Sequence, residues 1–155
     1  MKYSIDTSAI LDGWVRYYPP DVFPAVWARV EGLIVSGHLV AADEVLQELA
    51  KRDDAAYEWA LRHRAMFVAL DEEVQKAVSG ILHDHERLVD TRRNRSAADP
   101  FVIGLAQVHQ LVVVTGEPAT GRPERPNIPD VCAVLGLRCI SLLELIREQG
   151  WKFSS

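Results

Sequence analysis

Asp6, Thr7 and Ser8 break the apolar run YSIDTSAIL (3–11) at the point where a short strand gives out. An acid followed by two hydroxyls can hold a cation or start a helix. Other acids fall in comparable places. Asp43, Glu44 and Glu48 follow HLVAA (38–42), Thr115 closes LVVVT (111–115) with Glu117 two residues on, and Asp99 and Asp130 each begin a helical pattern. In an open parallel sheet, ligands bind beyond the carboxyl ends of the strands. Five or six of these acids then converge on one edge. Carboxylates packed together repel, so such a cluster needs protons or metal ions. Oxygen ligands without cysteine point to magnesium or manganese.

Each acid also has a structural role open to it. Asp6 can cap the following helix, and Asp99 before Pro100 fits an N-cap and first-turn pair. Asp130 lies in a first helical turn, where an acid suits the helix dipole. Glu117 in a loop can simply be solvated. On the helix after HLVAA, Val45, Leu46 and Leu49 define the buried arc at about 100° per residue. Glu48 borders that arc, Gln47 points away, and Glu44 reads as a first-turn dipole partner.

Elements that would position these residues follow from the pattern of apolar runs. Strands are expected at 2–5, 38–42, 66–70, 111–115 and 138–141. Asp21 is a plausible cap for a helix with Val22, Val26, Val30, Leu33 and Ile34 on one face, stopped by Gly37. Helices follow at about 43–51 and 55–63. Asp71 caps a long helix with Val74, Val78, Ile81, Leu82 and Leu88 inward. Further helices are expected at 100–109, 129–135 (ended by Gly136) and 142–148, with polar loops at 90–96 and 116–127. LVVVT is β-branched and apolar on both faces, as in a central parallel strand. Strand and helix alternate throughout, which implies one α/β domain over residues 1–155 with a mainly parallel sheet.

Composition narrows the function classes. With 48% hydrophobic residues in 155 the chain can bury a core. No apolar stretch approaches the ~18 residues of a membrane span, and MKYSID lacks the pattern of a signal peptide. Cys132 and Cys139 suit reduced, buried thiols in a cytoplasmic protein. The net charge of −5 disfavours a dedicated duplex-DNA binder. It remains compatible with an acidic site that presents positive charge to a phosphate once ions are bound.

Four stretches, in order, resemble the motifs of a PIN domain: IDTSAIL (5–11), VLQEL (45–49), SAADPFVIGLA (96–106) and VVVTGE (112–117). The ending, residues 128–153, resembles an uncharacterised PIN subfamily grouped with the VapC-type toxins. The resemblance implies a three-layer α/β/α sandwich and a metal-dependent ribonuclease using Mg2+ or Mn2+, with products bearing a 5′-phosphate and a 3′-hydroxyl. Asp6, Glu48 and Asp99 match the three main metal-binding acids. Thr7 and Ser8 match hydroxyls that hold the first acid in place, and Thr115 matches the threonine behind the site. At the fourth acid this chain departs from the pattern, with Glu117 where Asp or Asn is usual; Asp130 competes for that role. The resemblance further implies a toxin with a separately encoded antitoxin, RNA as substrate, and a homodimer. The alternatives are a PIN fold that holds RNA or protein without cutting, and a phosphatase with an aspartate nucleophile. The latter usually wants a second acid where Ser8 stands.

Arg92, Arg93 and Arg95 precede Asp99. They can grip RNA phosphates, receive an acidic partner, or be a solvated loop. His83 to Glu86 (HDHE) looks metal-binding, but residues two apart on a helix face different sides, which favours a solvated helix end. Trp14, Tyr17 and Tyr18 can stack bases or pack beneath the Pro-rich turn; packing is the commoner fate. Trp27 and Trp59 read as core or interface.

Overall fold

The computed structural model describes residues 1–89 and 97–154. It is an α/β sandwich with a central sheet of five strands, all parallel, in the order β3-β2-β1-β4-β5. These strands are β1 (Tyr3–Ile5), β2 (Leu39–Ala42), β3 (Phe67–Val68), β4 (Val112–Val114) and β5 (Cys139–Ile140). β1 sits at the centre, with Tyr3 opposite both Leu39 and Val112. All residues of β1 and β2 are buried, as strands covered on both faces require. β2 and β3 lie to one side of β1, β4 and β5 to the other. The strand order therefore reverses between β1 and β4, where such sheets open a crevice at their carboxyl ends.

Eight α-helices flank the sheet among the described residues. They are α1 (Thr7–Leu11), α2 (Pro24–Val35), α3 (Asp43–Arg52), α4 (Asp54–Arg62), α5 (Glu72–Asp84), α6 (Asp99–His109), α7 (Ile128–Leu135) and α8 (Leu142–Glu148). α6 packs on the centre of the sheet, and Ser4 Oγ in β1 donates to the Val102 carbonyl of α6 (2.9 Å). α5 packs closely against α6 at Gly104. A Cβ there would meet Val78 Cγ2 at 2.8 Å, so only glycine lets the two helices approach this far. Asp71 caps α5 as expected, accepting from Val74 N at 2.8 Å. None of the described helices is long and apolar enough to cross a membrane.

Three expectations change. α2 starts at Pro24 rather than after Asp21, because Val22 N and Phe23 N both donate to the Pro19 carbonyl and extend the turn. Val22 is then 63% exposed instead of inward. Leu82 also lies outside the core, since Val74, Val78 and Ile81 complete the buried face of α5. Leu88 is buried, but through a separate 3-10 turn at Glu86–Leu88. Finally, α1 runs on into a π-helical turn, Asp12–Tyr17, which no apolar period announced. Trp14 in that turn stacks with Trp27 and Trp59, ring centroids 4.9 to 5.6 Å apart. Trp14 is therefore a packing residue. The arginines at 92, 93 and 95 lie outside the described residues.

Candidate metal centre

β1 ends at Ile5, and Asp6 continues its pairing: Asp6 N donates to the Val114 carbonyl at 2.8 Å. Asp6 then occupies the cap position of α1, yet its carboxylate makes no capping bond. Oδ2 instead accepts from Ser8 Oγ (2.5 Å) and Thr115 Oγ1 (3.0 Å). Each hydroxyl has one proton, and both are aimed at the same oxygen. Ser8 Oγ in turn accepts from Gly116 N (2.9 Å), and Thr115 Oγ1 from Glu117 N (3.1 Å). This network joins the ends of β1 and β4 at the switch point. Asp6 is 1% exposed, and its Oδ1 is buried with no hydrogen-bond partner among the described residues.

The Thr7 hydroxyl does not share the role expected of it. Thr7 Oγ1 is buried and makes no bond to Asp6. The side chain of the residue immediately next to Asp6 leaves the backbone in another direction, whereas Ser8, two residues on, folds back over the carboxylate.

Asp99 is the first residue of α6, 2% exposed. Ala98, not Asp99, takes the cap position. Glu117 is half-buried, and its Oε2 accepts from Ile128 N at the start of α7 (3.0 Å). Asp6, Asp99 and Glu117 each offer a carboxylate oxygen, and these oxygens lie within 4.8 Å of one another. The acidic cluster can hold a metal ion. On an octahedral ion with bonds of about 2.1 Å, ligand oxygens lie about 3 to 4.2 Å apart, so the three carboxylates are near enough for one ion to draw them together. The unpartnered Asp6 oxygen and the all-carboxylate donors fit a hard divalent cation.

Burial pushes the Asp6 carboxyl up to about 7, and the charges of Glu117 and Glu48 push the same way. The Ser8 and Thr115 hydrogen bonds oppose that rise without cancelling it.

Glu48 and Asp130 stand outside that group of three. Glu48 borders the buried face of α3, as its position relative to Val45 and Leu49 required, and its Oε1 accepts from Ala98 N (3.0 Å). It thus holds the turn that delivers Asp99 while contributing negative field at Asp6. The structure does not bring Asp130 to the cluster. Its two oxygens accept from the backbone of Thr120, Gly121 and Asn127 and from the Thr120 hydroxyl. With Asn127 it forms a reciprocal capping box on α7. The metal role considered for Asp130 yields to a structural one, because the loop amides already supply its donors. The histidines of HDHE form no metal-type group among the described residues.

Two neighbours carry no motif. A Cβ on Gly116 would lie 2.2 Å from Asp12 Oδ2 and 3.1 Å from the Ser8 carbonyl. A side chain at 116 would displace the Asp12 carboxylate and crowd the Ser8 carbonyl where the π-turn rests against the end of β4. A shallow depression beyond Ser8 and Asp12 is lined by Arg16 and Arg52. Both neighbours had a helical signal: Asp12 is four residues after Ser8, and Arg52 four after Glu48.

No curated relative matches the chain. A family model described as a domain of unknown function, DUF4411, matches residues 3–153, and the chain belongs to that family.

Proposed function

We propose that the chain is a PIN-type endoribonuclease that hydrolyses RNA phosphodiester bonds with Mg2+ or Mn2+. One observation carries the reading: three carboxylates converge at the switch point of the sheet, and one oxygen of the buried Asp6 has no hydrogen-bond partner among the described residues. Asp6, Asp99 and Glu117 would hold the ion. When bound, it supplies the positive charge that a phosphodiester and an attacking water both require. The chain's own work is positioning. Ser8 and Thr115 hold Asp6 by Oδ2 and leave Oδ1 without a hydrogen-bond partner among the described residues. Glu48 fixes the turn before Asp99, and Glu117 is anchored at Ile128. Arg16 and Arg52 offer cationic contacts for RNA phosphates, each of which shows as salt dependence.

The toxin half of a toxin–antitoxin pair, acting as a homodimer in the cytoplasm, is the form of this activity that the PIN resemblance supports; two free thiols agree with that compartment. Incubating the metal-free chain with an RNA panel, with and without added manganese, tests the activity. Metal-dependent cleavage that survives Asp6→Asn removes the site assignment.

A second reading, a PIN fold that binds RNA or protein without cutting, draws on Glu117: one of its oxygens is already engaged with Ile128 N. Calorimetric titration with manganese separates the two, since the binding module requires no heat of metal binding.

A further inference from the structure

A cleft of about 470 Å³ opens beside the acidic cluster, sharing Glu117 with it and Thr115 and Gly116 with the hydrogen-bond network that holds Asp6. That volume falls in the range of small-molecule pockets, ~300–1,000 Å³. Its far walls are Tyr17 and Tyr18 from the π-helical turn, Pro118 from the loop after β4, and Leu143 and Glu144 from the first turn of α8. The π-turn is what brings the tyrosines here, and such turns recur at functional sites.

The two tyrosines differ. Tyr18 is fixed: its carbonyl accepts from Trp27 Nε1 (2.6 Å), and its ring meets Phe23 edge-on at 5.8 Å. Tyr17 is 60% exposed, with its ring 6.4 Å from that of Tyr18. A large aromatic ring left open over a cleft, braced by a second fixed ring, is a stacking platform.

Charge chooses among ligands. The charged residues lining the cleft are Asp12, Glu117 and Glu144, all acids, and neither lysine nor arginine lines it among the described residues. A phosphate is repelled there. A flat π-system whose edge donates hydrogen bonds is not. Two arginines, Arg16 and Arg52, line instead the depression that shares Asp12 with the cleft, together with the acid Asp53. Arginines for a strand's backbone thus stand outside the cleft, and none stands inside it among the described residues.

We propose that this cleft is a nucleobase subsite. It takes the base of the nucleotide flanking the phosphodiester held at the acidic cluster, stacks it on Tyr17, and favours bases with an exocyclic amino group over uracil. The inference rests on the ribonuclease reading for its substrate, and two experiments keep the two apart.

In the first, manganese-dependent turnover by the full chain is compared on a single-stranded oligoribonucleotide and on methyl p-nitrophenyl phosphate, a diester without a base. Tyr17→Ala should lower kcat/KM on the oligonucleotide about tenfold more than on the small diester, chiefly through KM, and Tyr17→Phe should restore it. Equal effects on the two substrates overturn the subsite. In the second, the amide spectrum of the native chain is followed during titration with cytidine and with uridine, which needs no cleavage. Larger shifts at Gly116, Leu143 and Glu144 with cytidine support the subsite; no shifts, or equal ones, overturn it. A chain that cuts neither substrate yet answers to cytidine retains the subsite and loses the ribonuclease reading.

Discussion

Asp6 and Asp130 are the same residue type at the start of a helix, and the protein uses them in opposite ways. Asp130 is surrounded by donors. Burial raises its proton affinity, but backbone amides of Thr120, Asn127 and Gly121 with the Thr120 hydroxyl more than offset that, and its pKa falls below the ordinary carboxylate value. Asp6 receives two hydroxyls on one oxygen and nothing on the other among the described residues, and burial lifts it to about 7. A carboxylate with every lone pair answered holds the chain together. A buried one left half-answered stores an unfavourable state that a cation relieves. Position in a helix does not distinguish them; the supply of donors does.

The comparison breaks first at Asp6. Asp6→Asn should cut metal-dependent RNA cleavage by more than about a hundredfold, beyond what loss of an outer partner costs. The metal-free chain should melt no lower than native, because the variant removes a buried charge. A variant that instead loses stability would make Asp6 a structural residue like Asp130. Next come the hydroxyls. Ser8→Ala or Thr115→Val should weaken manganese binding about 10- to 100-fold, measured by calorimetry, since each removes a donor that favours the ionised carboxylate.

Acidity gives a smaller, graded effect. Below about pH 7 a proton competes for Asp6, so manganese affinity should fall by up to about tenfold per pH unit and level off above it. Without metal the sign reverses. The folded pKa lies above the 3.8 of an ordinary aspartate, so the folded state binds the extra proton. Its stability contribution is complete below about pH 4 and is lost as pH rises toward 7. Denaturant midpoints across that window should show the decline in the native chain and a shallower one in Asp6→Asn. The mildest change is Asp130→Asn. It should cost about 1–2 kcal/mol of stability through the capping box and leave manganese affinity within about twofold, as thermal melts and titration would show together.

Much of this contrast was visible in the order of residues. All five strands and the polar residues at their ends could be read from apolar runs, because buried parallel strands leave so few alternatives. Asp6, Asp99 and Glu117 converge as expected. What escaped reading depends on contacts between distant segments. Asp130 looked like a ligand because its donors come from a loop ten residues away. Thr7 and Ser8 looked equivalent, and only the turn after β1 tells them apart. Glu48 was legible as inward-facing, but not that its Oε1 accepts from Ala98 N, fifty residues on. The π-turn that sets Tyr17 over the cleft leaves no periodic trace.

The bond from Thr115 to Asp6 spans 109 positions of sequence. A nascent chain carries Asp6 long before Thr115, and it cannot seat that carboxylate through this bond until β4 has left the ribosome and paired beside β1. A cation site built on Asp6 and Glu117 is therefore complete only once the two ends of that span have folded together.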